Sequence, residues 1–134
     1  MEAMAKRRRK PLGLVKGPPR PFRESVRCAW RGIIYAFRTQ RNMGIHLAIA
    51  IFALAASVWF ELNVMEWLLI LLAITLVFVT EILNTAVEVV VDVLERERRP
   101  TAMIIKDLAA GAVLVCAIVA ALIGAVVFLP HCFP

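Results

Sequence analysis

TEILNTAVEVVVDVLE, residues 80–95, sets four carboxylates, an asparagine and two threonines into an otherwise apolar run. Successive residues of an α-helix lie about 100° apart, so Glu81, Asn84, Thr85, Glu88, Asp92 and Glu95 fall within roughly 100° of arc and form one stripe. The remaining faces carry Ile, Leu, Ala and Val, which suit lipid or neighbouring helices. An acid at the centre of a bilayer costs at least ~2.5–3.5 kcal/mol on insertion scales, so intramembrane carboxylates face a bundle interior and mark functional sites. That stripe is where function is expected.

Working outward, the chain is one domain of 134 residues with a hydrophobic fraction of 61%, too apolar for an ordinary soluble domain. Of its 16 Lys and Arg residues, 12 lie at or before Arg41. Such asymmetry belongs to cytoplasmic segments and anionic headgroups; a nucleic-acid partner would want a folded basic surface with stacking aromatics and is not expected. Cys28, Cys116 and Cys132 are far apart with no CxxC pair, so neither a zinc site nor a disulfide framework is indicated. The basic start runs into Pro and Gly without the apolar core of a signal peptide.

Residues 1–21 contain KRRRK and four prolines and read as a disordered basic cytoplasmic tail. Residues 22–134 form the membrane domain. Within it, 22–43 reads as a basic amphipathic helix on the membrane surface, with Phe22, Val26, Ala29, Trp30, Ile33 and Phe37 on one side. Spans are expected at about 45–60, 67–95 and 102–129, and ELNVME (61–66) is expected to be a loop holding Asn63 and Glu66. Arg96, Arg98, Arg99 and Pro100 mark a second, cytoplasmic loop. The fold is therefore an all-α integral membrane bundle of three spans plus a surface helix, with its amino terminus inside. Small residues in the last span, Ala117, Ala121, Ala125 and Ala120, Gly124, permit close helix approach, and a bundle this thin suggests oligomerisation.

Depth then divides the stripe. Glu81 and Asn84 fall in the inner third of the bilayer, while Glu88, Asp92 and Glu95 reach its cytoplasmic edge, joined there by Lys106 and Asp107. Glu81 and Glu88 are two turns, ~10 Å, apart. The deeper acid suits a general base. Glu88 and Asp92 suit Mg²⁺ carrying nucleotide phosphates, and Lys106 suits a transferring phosphate, because phosphoryl transfer depends on positioning and electrostatics. The same residues would also suit an ion or proton pathway, or an oligomeric scaffold without enzymatic activity. No GxxxxGK[ST] loop or protein-kinase motif is present. His46, near the start of the first span, suits a phosphate contact or a structural hydrogen bond equally.

EILNTAVEVVVDVL (81–94), the AxxxKDLAAGAVLV run through Lys106 and Asp107, and RTQRNMGIH (38–46) resemble the prokaryotic diacylglycerol kinase family. Together with VVFLP (126–130), they are most similar to its undecaprenol kinase branch. The resemblance runs from Phe22 to Leu129 and implies a homotrimer in the bacterial inner (plasma) membrane. The implied reaction moves the γ-phosphate of ATP, with Mg²⁺ as cofactor, to a membrane lipid alcohol. Undecaprenol is the expected acceptor and diacylglycerol, giving phosphatidic acid, the alternative. By position, the resemblance makes Glu81 the catalytic base with Asn84 beside it, and Glu88 a metal ligand. It assigns Asp92, Lys106 and Asp107 to the nucleotide. Many members carry a second metal-binding glutamate where this chain has Gln40. An amide oxygen coordinates Mg²⁺ without charge, so weaker metal affinity is the expectation.

Overall fold

The structure, a computed structural model, describes residues 21–94 and 99–133. The basic tail up to residue 20, and Glu95, Arg96 and Arg98, lie outside these residues. Among the described residues there are four helices and no strand: α1 (Phe22–Thr39), α2 (Arg41–Trp59), α3 (Val64–Leu94) and α4 (Pro100–Cys132). Of these, α2, α3 and α4 are long and apolar enough to cross a membrane. At 31 and 33 residues, α3 and α4 extend for roughly 46 and 50 Å at 1.5 Å per residue, well beyond a ~30 Å hydrocarbon core. Both therefore carry their ends out of it.

Contacts at both ends show that α3 and α4 pack antiparallel. Lys106 near the start of α4 meets Asp92 near the end of α3, and His131 in the last turn of α4 approaches Glu66 in the first turn of α3. Close to that second end lies an apolar core of Leu62, Ile70 and Val127, extended by Phe60, Trp67 and Phe128. Helix α1 folds back towards α3, where Phe37 and Phe78 stack with centroids 5.8 Å apart. The rest of its apolar face, Phe22, Val26 and Trp30, is left uncovered by protein, as an interfacial helix requires.

Four helix boundaries differ from the sequence expectation by three residues or more, the first span among them, since α2 starts at Arg41 rather than 45. The surface helix ends at Thr39 rather than 43, because Gln40 adopts an extended conformation (φ −104°, ψ 117°). Its backbone N–H closes α1 on Ala36 O, and α2 restarts at once, with Gly44 inside it. No Gly or Pro marks this elbow. It is held by tertiary contacts: Ala36 and Met43 on either side are fully buried, and the Gln40 side chain is engaged elsewhere.

The second span begins at Val64 rather than 67, which turns Asn63 and Glu66 from loop residues into a helix start. Asn63 Oδ1 accepts the N–H groups of Met65 and Glu66, and Glu66 Oε2 accepts the Asn63 N–H at 2.9 Å. This reciprocal capping box satisfies helix-terminal donors that would otherwise be orphaned. Before it, α2 ends in a Schellman turn. Leu62 N–H donates to Ser57 O and Glu61 N–H to Val58 O, with Glu61 at φ +51°, a position glycine usually holds. Two tight closures thus leave only a short connection between α2 and α3.

The third span continues to Cys132 rather than 129 and tolerates Pro130 because the proline falls in its last turn. There His131 Nδ1 lies 3.0 Å from Val127 O, and the Phe133 N–H donates to Leu129 O. Pro100 occupies the first helical position of α4, where its missing N–H costs nothing.

Candidate functional site

The stripe on α3 emerges as a gradient of exposure. Glu81, Asn84 and Thr85 are buried at 1%, 6% and 4%, Glu88 is half-buried and Asp92 is exposed. The helix places them in line; α1, α2 and α4 decide how far each is covered.

Glu88 is the hub. One carboxylate oxygen, Oε2, accepts a 2.6 Å hydrogen bond from Gln40 Nε2, and the other, Oε1, accepts one of 3.2 Å from Asn84 Nδ2. Gln40 thereby ties the α1–α2 elbow to a residue 48 positions away. Charge-assisted bonds of this kind are the stronger class. They account for an extended Gln40 that no local signal predicts.

Glu81 sits one turn deeper than Asn84. Thr85 Oγ1 donates to the Glu81 backbone carbonyl, which anchors the turn without touching the carboxylate. Glu81 Oε1 and Asn84 Oδ1 are both buried, and neither has a hydrogen-bond partner among the described residues. An orphaned buried acceptor costs roughly 1–3 kcal/mol, so two of them side by side call for a donor from outside the subunit. Glu81 and Asn84 help to line an open groove of about 240 Å³ together with Asn42 and His46 of α2 and the aliphatic Val113 and Leu114 of α4, and the two unpartnered oxygens lie beneath its surface. A small side-chain rotation of Glu81 or Asn84 would bring an acceptor to the apolar floor of this groove, a suitable place for one hydroxyl on an oily molecule.

Lys106 pairs with Asp92 at the solvent end, where exposure makes such a pair weakly stabilising and easily rearranged. Asp107, its neighbour on α4, is exposed. Glu88, Asn84 and Gln40 are therefore brought into one hydrogen-bonded cluster, Asp92 and Lys106 into a second, and Asp107 stands beside the second without joining it.

The donors around Glu88 fit a hard cation in part. Among the described residues, no group of three His, Cys, Asp or Glu side chains converges to hold a metal. What is present is one carboxylate flanked by two amides, of which Asn84 already directs an unpartnered oxygen into the buried site. Rotation of the Gln40 amide would add a second neutral oxygen. Mg²⁺ accepts one or two carboxylates and completes its shell with phosphate oxygens and water, so this set suits Mg²⁺ delivered with a nucleotide better than a free ion.

Sequence reasoning missed Asn42 as a groove residue and left His46 undecided. Both lie on the groove because α2 starts at Arg41. The i, i+4 spacing of two polar residues ahead of an apolar run was the available signal.

Comparison with known proteins places the chain among lipid kinases. Residues 27–128 match the family model for prokaryotic diacylglycerol kinase. The chain is 42% identical to an undecaprenol kinase of Bacillus subtilis over 109 residues, covering 81% of this chain and 89% of the relative. It is 38% identical to a diacylglycerol kinase of Synechocystis, covering 90% of this chain and 78% of the relative. A diacylglycerol kinase of Escherichia coli is 26% identical over 77% of this chain and 84% of its own length.

Proposed function

The chain belongs to the prokaryotic diacylglycerol kinase family and is a membrane lipid kinase that uses ATP, and we propose that its acceptor is undecaprenol, phosphorylated to undecaprenyl phosphate. The observation that carries the reading is the buried, unpartnered Glu81 Oε1 beside Asn84 Oδ1 in a groove with an apolar floor. A lipid hydroxyl entering that groove donates its proton to Glu81. As the proton passes to the carboxylate, the hydroxyl oxygen forms a bond to the γ-phosphorus of ATP, and the bond from that phosphorus to the β,γ-bridging oxygen breaks. ADP leaves with that electron pair, and Glu81 later returns the proton to solvent. Asn84 holds two roles by its two ends: Nδ2 steadies Glu88, and Oδ1 faces the acceptor.

Glu88, with the amide oxygens of Gln40 and Asn84, would hold Mg²⁺, which neutralises charge on the transferring phosphate. Lys106, released from Asp92, meets the nucleotide phosphates; Asp92 and Asp107 organise the nucleotide from the solvent side. The basic residues before Arg41 and the arginines after α3 support a plasma-membrane protein with a cytoplasmic amino terminus. The homotrimer follows from the family resemblance, and a groove walled on few sides leaves room for a neighbouring subunit.

Diacylglycerol is the second reading of the acceptor, favoured by the Synechocystis relative. Purified protein with MgATP, assayed side by side on undecaprenol and dioleoylglycerol, separates the two. The proposal expects the higher kcat/KM on undecaprenol. A higher value on dioleoylglycerol would reverse the assignment.

A further inference from the structure

The groove at Glu81 has a polar wall that the proposed transfer leaves unused. Helix α3 contributes Glu81 and Asn84 to the groove, and α2 contributes Asn42 and His46. His46 is half-buried and Asn42 exposed, and neither makes a hydrogen bond or ion pair among the described residues. Depth separates the two. Helices α2 and α3 run antiparallel from the Gln40–Glu88 hydrogen bond to their short connection. His46 lies six residues along α2 from Gln40, roughly 9 Å at 1.5 Å per residue. Glu81 lies seven residues back along α3 from Glu88, roughly 10 Å on the same rise. His46 therefore stands level with Glu81, while Asn42 stands roughly 6 Å nearer the Glu88 cluster.

The two walls are chemically complementary. On α3, Glu81 Oε1 and Asn84 Oδ1 are acceptors without a partner. On α2, an imidazole carries at least one N–H in either neutral tautomer and an amide carries two. A hydroxyl between the walls has one proton and two lone pairs. We infer that His46 is the donor that orients the acceptor hydroxyl, holding its oxygen from the α2 side while Glu81 takes its proton from the α3 side. The inference rests on the lipid kinase reading and deepens it. The proton goes to Glu81, one lone pair forms the bond to the γ-phosphorus, and the other accepts the His46 N–H. As the proton leaves, charge gathers on the oxygen and the bond from His46 strengthens, which favours the transition state over the bound ground state. Undecaprenol and a 1,2-diacylglycerol both present a primary alcohol, so His46 acts on the hydroxyl and not on the lipid attached to it.

The test uses the full chain in detergent micelles with MgATP, assayed on undecaprenol and on dioleoylglycerol. His46→Leu should lower kcat about ten- to hundredfold, as expected for a lost hydrogen bond to a charged oxygen. The factor should be the same on each lipid turned over, with KM for the lipid changed less than kcat. His46→Gln, which keeps an N–H, should recover most of the loss. Asn42→Leu should cost less than His46→Leu; the reverse order would assign the donor to Asn42 and overturn the role of His46. Thermal unfolding in the same micelles shows which variants fold, and His46→Ala replaces His46→Leu if the latter does not. A kcat within about twofold of the unmutated protein, a loss confined to one lipid, or no recovery in folded His46→Gln would each overturn the inference. Failure of the unmutated protein to phosphorylate any lipid alcohol would instead remove the kinase reading, and this inference with it.

Discussion

Helix α3 carries a half-buried glutamate in its first turn and a fully buried one near its middle, and the two are treated in opposite ways. Glu66, in the first turn, accepts the Asn63 N–H and faces His131 at 3.8 Å. Its surroundings are closed by a Schellman turn, a capping box and the Leu62–Ile70–Val127 core. Glu81, on the same helix, is more deeply buried and yet keeps a carboxylate oxygen without a partner. Burial of a polar group is stabilising only when its hydrogen bonds are made. Glu66 therefore serves the fold, while Glu81 costs the fold stability, as a residue kept for the proposed acceptor would.

The sharpest way to break this comparison is Glu81→Gln. Loss of a general base lowers turnover by ~10²–10⁴-fold, while ATP binding and thermal stability are retained or improved; a clear fall in stability with normal turnover would show that Glu81 is structural. Next, Glu88→Ala should raise the Mg²⁺ concentration for half-maximal activity by about tenfold or more and loosen the α1–α2 elbow, since Gln40 loses its acceptor. Faster hydrogen exchange at residues 36–43 would report the loosening. Gln40→Glu acts on the same cluster in the other direction. It adds a second carboxylate, so the Mg²⁺ requirement should fall several-fold, and an unchanged requirement would argue that Gln40 is only a tether.

At the other end the effects are smaller and fall on stability alone. Glu66→Ala removes half of the capping box and should cost ~1 kcal/mol, read by thermal unfolding in micelles, with kcat/KM per folded molecule unchanged. Glu61→Gly should be stabilising by up to roughly 1 kcal/mol, because glycine adopts the positive φ without a Cβ penalty. If Glu66→Ala abolished turnover in folded protein, the division of labour between the two glutamates would be wrong.

How much of this was legible beforehand depended on range. Spans show in hydropathy because a bilayer imposes length and composition on each helix separately. The stripe shows because helical periodicity acts over three and four residues. Both are readable from residue types and spacing, the spans along the whole chain and the stripe from residues 80–95. The elbow at Gln40 was not, since nothing local breaks a helix there and its cause lies 48 residues away at Glu88. The capping box at Asn63 and Glu66 was available as a local pattern, N-x-x-E before an apolar run, and was overlooked because acids between spans read as loop.

The sequence by itself determined three spans, a surface helix, the polarity of one face of α3 and the family to which the chain belongs, all set by residue types and short-range spacing. Only the tertiary structure decided which polar atoms are satisfied. Glu88 takes both of its donors from amides, one of them on another element, while Glu81 is buried at the edge of an open groove with an acceptor unspent. Hydrogen-bond satisfaction is a property of packed neighbours, and those neighbours are chosen by how the helices cross.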